Sequence, residues 1–133
     1  MVKINDEALG NGITDPEFNL LLHSAGNFVG NNACTSIKST HPEICAHTNI
    51  YSIGTPIIID DNLVRYVDTK ISSRDGVGYL GLLHGCLTNP SHQNFSIVPS
   101  WGGFPLCDHP VLGDTYREEL GAIFRQIQTD RKK

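Results

Sequence analysis

No run of apolar residues in this sequence is long enough to cross a bilayer, and its opening Met1-Val2-Lys3-Ile4-Asn5-Asp6-Glu7 holds no apolar signal core. These absences predict synthesis in a cytoplasm without a signal peptide. A basic stripe is also missing. The net charge is −4, with both signs mixed along the chain, which excludes the footprint of a protein that tracks a phosphate backbone and so excludes nucleic acid as a partner. No His-Glu-x-x-His spacing is present, which argues against one large class of zinc hydrolase. Length allows one domain: 133 residues suffice for a modest core and not for two independent ones. What is present is 39% hydrophobic residues with 13 Gly and 7 Pro, a mixture that interrupts long elements and reads as turn-rich β structure. Four Cys stand among six His, which favours thiolate and imidazole ligands over disulfides.

The chain divides by its rhythm. Residues 1–17 are polar, with Gly10-Asn11-Gly12 and Asp15-Pro16 as turn signals, and read as an N-terminal arm. Three units of β vocabulary follow over 18–114. In the first, Asn19-Leu20-Leu21-Leu22 enters a strand, His23-Ser24-Ala25-Gly26 bends it and Asn27-Phe28-Val29 returns. In the second, Asn49 to Ile53, the turn Gly54-Thr55-Pro56, Ile57-Ile58-Ile59, the turn Asp60-Asp61-Asn62 and Leu63 to Val67 form the clearest copy. The third runs from Asn94-Phe95-Ser96-Ile97-Val98 to Val111-Leu112-Gly113-Asp114. The spacing is uneven, 30 residues from Asn19 to Asn49 and 45 from Asn49 to Asn94, so these are diverged units rather than a solenoid. Over 115–133 the period changes. Tyr116, Leu120, Ile123, Phe124 and Ile127 share one helical face behind a Thr115/Glu118 capping box, which predicts an amphipathic helix laid over the β core.

Candidate ligands sit in the linkers between units. The linker before the second unit carries His41, Cys45 and His47, and the one before the third carries His84, Cys86 and His92. His47 and His92 occupy matching positions, two residues ahead of Asn49 and Asn94. Were the units arranged around a pseudo-threefold axis, both linkers would reach the same end of the body. A tetrahedral metal site follows from that convergence, with zinc first and iron second as the ion. Cys34 and Cys107 fall at matching strand positions and read as core thiols, although Cys107-Asp108-His109 places a histidine beside one of them.

The second unit, with Gly54-Thr55-Pro56, an apolar strand, a turn, Asn62-Leu63-Val64-Arg65 and Val67-Asp68-Thr69, resembles the repeat of PAAR-repeat proteins, and Val111-Leu112-Gly113-Asp114 is similar to its ending. The resemblance implies a mainly β fold: a small cone of three pseudo-threefold β-hairpin units with a C-terminal helix. It implies a non-enzymatic tip that caps the trimeric β-helical spike of a phage tail baseplate or a type VI secretion-like device. One copy would bind per spike trimer, stiffened by a structural metal and touching the target-cell membrane only during puncture. The implied location is the virion tail tip or the assembled injection apparatus, after synthesis in the bacterial cytoplasm. A threefold set of edges suits a trimer's end, and a metal substitutes for a core at a narrow tip. The competing reading is a small zinc hydrolase or toxin domain with Glu43 or Asp108 as general base. A disulfide-stapled secreted module is a third, disfavoured by the missing signal core.

Overall fold

The computed structural model describes residues 1–88, 95–100, 109–110 and 114–130, the side chains of 84, 86–88 and 114 excepted. The elements in chain order are α1 (Val2–Gly10), β1 (Phe18–His23), α2 (Gly26–Thr40), α3 (Pro42–Ala46), β2 (Thr48–Ile53), β3 (Tyr66–Ser72), α4 (Gly76–Thr88), β4 (Phe95–Val98) and α5 (Asp114–Asp130). About half of the chain is helical and 22% is strand, so the expected mainly β cone of three hairpin units is not formed. All four strands are parallel and lie in the order β1-β2-β3-β4, with Leu22 beside Ser52, Ile53 beside Lys70 and Ser72 beside Val98. A parallel pair needs a crossover where a hairpin needs only a turn, and the crossovers account for each misread segment. Asn27-Phe28-Val29 opens α2 rather than a returning strand. Ile57-Ile58-Ile59 and Leu63-Val64 are buried in the connection from β2 to β3 without joining a ladder. The arm contains α1, which buries no residue.

Two-sided burial follows from the parallel arrangement. All six residues of β2 are buried, and successive side chains serve opposite faces. Ile50 joins Val67, Leu20, Leu22, Cys34, Ile37, Cys45 and the loop residues Ile59, Leu63 and Val64 in one cluster. Tyr51 and Ile53 join Tyr66 and the α5 residues Tyr116, Leu120, Ile123 and Ile127 in the other. The C-terminal amphipathic helix therefore covers a sheet face, with Tyr116 and Ile123 fully buried and Phe124 left 55% exposed. On the first face, α4 approaches so closely that a Cβ on Gly78, Gly81 or Gly85 would overlap Ile71, the Thr55 carbonyl or Ile58. Close approach explains the glycine stripe. Among the described residues no helix is long and apolar enough to cross a membrane.

Cys34 is a core thiol. Burial, with Cys45 beside it, pushes its pKa up to about 11, so the folded chain holds this proton more tightly than the unfolded chain does. Its contribution to stability is complete below the ordinary thiol range and is lost as pH rises through about 11. Urea unfolding at pH 8 and pH 11 is expected to show a larger alkaline loss in the wild type than in Cys34→Ala. Equal losses would assign the alkaline sensitivity to other groups.

Candidate active site

At the carboxyl end of the sheet the ladder continues one residue beyond each strand. Ser24 N–H donates to Ile53 O at 3.3 Å, Gly54 N–H to Lys70 O at 3.0 Å and Ser73 N–H to Val98 O at 2.9 Å, which gathers the loops after β1, β2 and β3 at one rim. Open parallel sheets place their chemistry at this end.

Ser24 sits in the sharp turn from β1 into α2 with φ +52°, and among the described residues it alone combines positive φ with a side chain. That conformation is costly for anything but glycine and marks a backbone held by its surroundings. The restraint is visible. Fully buried Asn27 donates from Nδ2 to the Ser24 carbonyl at 2.9 Å and accepts at Oδ1 from Ser52 Oγ at 2.7 Å. At the next turn of α2 a Cβ on Gly30 would overlap Leu22, so helix and strand pack in near contact just behind the serine.

His109 reaches this rim from the far end of the sequence. Its Nε2 lies 2.8 Å from Ser24 Oγ, and its Nδ1 lies 3.0 Å from both carboxylate oxygens of Asp75. A carboxylate only accepts, so Nδ1 carries the hydrogen and Nε2 is left to accept from the Ser24 hydroxyl. Asp75 is fully buried and caps α4, taking Val77 N–H at 2.9 Å and Gly78 N–H at 3.1 Å on Oδ1. Tyr116 Oη donates to Asp75 Oδ2 at 2.5 Å and itself accepts Ser72 N–H at 2.9 Å. His23 Nε2 donates to the His109 carbonyl at 2.7 Å, and the two imidazoles lie 4.8 Å apart between centroids. Gly54 makes the crowding possible. Its φ is +53°, and a Cβ there would stand 2.7 Å from Asp75 Oδ2, 3.2 Å from Tyr116 Oη and 3.3 Å from His109 Nδ1.

The residues expected to hold a metal are placed elsewhere or outside the described set. His47 precedes β2 at the opposite end of the sheet, its Nδ1 2.7 Å from Asp15 Oδ1. His41 lies between α2 and α3 with Nδ1 2.9 Å from Thr40 Oγ1. Cys45 is buried, its Sγ donating to the Cys34 carbonyl at 3.6 Å, and burial raises its thiol pKa, with Lys38 opposing. His84 and Cys86 are carried by α4 with side chains outside the described set, and His92, Cys107 and Asp108 lie outside the described residues. Glu43 is exposed in the first turn of α3. Among the described residues no group of three or more His, Cys, Asp or Glu is arranged to hold a metal ion.

Sequence reasoning missed Ser24 and Asp75 altogether. The available signal was Ser24-Ala25-Gly26, a Ser-x-Gly placed where an apolar strand meets a helix, followed in chain order by an acid and then a histidine. Comparison with protein-family models, with curated proteins and with solved structures finds no match.

Proposed function

We propose that this protein is a serine hydrolase acting on carboxylic esters or related acyl compounds, with Ser24 as nucleophile, His109 as general base and acid, and Asp75 as the group that orients His109. The observation that carries the reading is the unbroken hydrogen-bond chain from Ser24 Oγ through both nitrogens of His109 to a buried carboxylate. A triad is recognised by such geometry and roles rather than by sequence spacing. The strand-serine-helix turn and the order Ser, Asp, His are also those of the nucleophile elbow in α/β hydrolases, an analogy of arrangement that adds weight to the reading.

In the reaction, Ser24 Oγ attacks the acyl carbon as His109 Nε2 takes the hydroxyl proton. The oxyanion that forms is met by the N-terminus of α2. Among the described residues no group accepts from the amides of Ala25 and Gly26, the two residues that follow the nucleophile into that helix start. Collapse of the intermediate breaks the bond to the leaving group, which departs with the proton returned by His109. Water then attacks the acyl-serine under the same base, and the carboxylic acid leaves.

The cone of three hairpin units on which the spike-cap expectation rests is replaced by a four-stranded parallel sheet in sequential order.

Labelling with a fluorophosphonate tests the proposal, because Ser24 Oγ would displace fluoride from phosphorus while His109 takes the proton. The expected result is one covalent adduct per chain, mapped by peptide mass to Ser24 and abolished in His109→Ala. No adduct, or an adduct on another residue, would remove the nucleophile assignment.

A further inference from the structure

The triad explains Ser24, His109 and Asp75 among the side chains that converge at the rim of the sheet and leaves Tyr116 without a role. We infer that Tyr116 is a positioning residue for the proposed reaction, acting through Asp75, and that α5 is thereby part of the catalytic apparatus as well as a cover for the sheet. The inference rests on the hydrolase reading.

The two oxygens of Asp75 are held differently. Oδ1 is fixed by the Val77 and Gly78 amides at the start of α4, whereas Oδ2 receives, apart from the shared His109 Nδ1, the Tyr116 hydroxyl at 2.5 Å. Turning the carboxylate about its bond to Cβ moves both oxygens, so the α4 amides on Oδ1 and the Tyr116 hydroxyl on Oδ2 fix that rotation together. The rotation sets how His109 is aimed at Ser24. Tyr116 is itself anchored twice, by the Ser72 amide on β3 and by full burial among Tyr51, Ile53 and Ile123. Its ring meets His23 edge-on at 6.3 Å, and His23 holds the His109 carbonyl. A side chain needed only for packing would not require a hydroxyl at this depth, where an unpaired polar group is costly.

Tyr116→Phe keeps the ring and deletes the hydroxyl, so it separates the two roles. The test is the inactivation of purified protein by a fluorophosphonate, resolved into the saturation constant and the maximal rate of Ser24 modification. The Nδ1 proton of His109 is followed in parallel by its downfield resonance. For Tyr116→Phe the maximal rate is expected to fall about tenfold to a hundredfold, as for a reacting group displaced by a fraction of an ångström to an ångström. The saturation constant should stay within about twofold and the downfield resonance should shift or broaden. An unchanged maximal rate and resonance in Tyr116→Phe would overturn the positioning role while leaving the triad intact. Failure of the wild type itself to react at Ser24 would instead overturn the hydrolase reading. Should Tyr116→Phe prove unfolded, Tyr116→His, which retains a ring with a donor, is measured in its place. Retention of more of the maximal rate than in Tyr116→Leu supports the role, and equal loss in the two overturns it.

Discussion

Ser24→Ala is expected to lower the hydrolysis of p-nitrophenyl acetate by about 10,000-fold or more while leaving the protein folded. The magnitude follows from the unity of a triad: without the nucleophile the base has nothing to activate, and what remains is binding and oxyanion stabilisation. The fold should survive because little else depends on the hydroxyl. Asn27 holds the Ser24 carbonyl, the ladder takes the Ser24 amide, and both contacts are made by backbone that alanine shares. Alanine also bears the left-handed φ at a cost similar to serine's, so the thermal midpoint should stay within a few degrees. Initial rates under excess substrate, with active-site titration to discount a contaminating hydrolase, provide the check. Hydrolysis at the wild-type rate by a folded Ser24→Ala protein would mean that the chemistry lies elsewhere.

The second large effect is expected at a residue with no functional group. Gly54→Ala combines a left-handed backbone, costing about 1–2 kcal/mol for a residue with a Cβ, with overpacking against Asp75, Tyr116 and His109, costing about 1–3 kcal/mol. A loss of about 2–5 kcal/mol in stability follows, a fall in melting temperature of roughly 10 °C or more for a domain of this size. Activity should fall further than stability explains. The new methyl presses on the carboxylate oxygen that faces Tyr116, and misplacement by about an ångström costs around 100-fold in rate. Calorimetry and esterase rates measured well below the melting temperature separate the two effects. A Gly54→Ala protein with wild-type activity would show that the three side chains tolerate displacement and that their close packing is incidental.

Strands β1, β2 and β4 and helix α5 were legible, because period-2 and period-3.6 patterns are local, whereas α1 to α4 read in sequence as an arm, hairpins or linkers. The strand at Asn49 to Ile53 and the helix behind Thr115 stand within a residue or so of where composition places them. Pairing direction is not local. A strand buried on both faces shows no alternation to reveal its neighbours, so β2, buried on both sides, gave no hint that β1 and β3 run parallel to it. Leu63 and Val64 misled for a related reason: they are buried by packing under α2 and α3 rather than by membership of a ladder. The valine at position 29 and phenylalanine at 28 carry β propensity but stand exposed on α2, where tertiary constraints on Asn27 and Gly30 decide the conformation. The site was harder still. The glycine that a nucleophile elbow usually carries two residues before the serine is Leu22 here, and the relief of crowding has moved across to Gly30 on the facing helix. Asp75 and His109 are 34 residues apart in sequence, and nothing in the sequence between them records their contact.

Sequential parallel strands also set a timetable. Each strand joins its predecessor in the order in which it leaves the ribosome, yet the base that activates the serine comes 85 residues after it and the tyrosine beneath the acid later again. Pairings of such separation form slowly, since loop closure precedes any gain from contact. A nascent chain displaying β1 through β3 therefore holds an ordinary hydroxyl and an unpartnered carboxylate, inert toward acyl groups nearby. Reactivity arrives only when His109 and α5 close over the rim. By the order of its strands the fold keeps a nucleophile silent until the body that must contain it is complete.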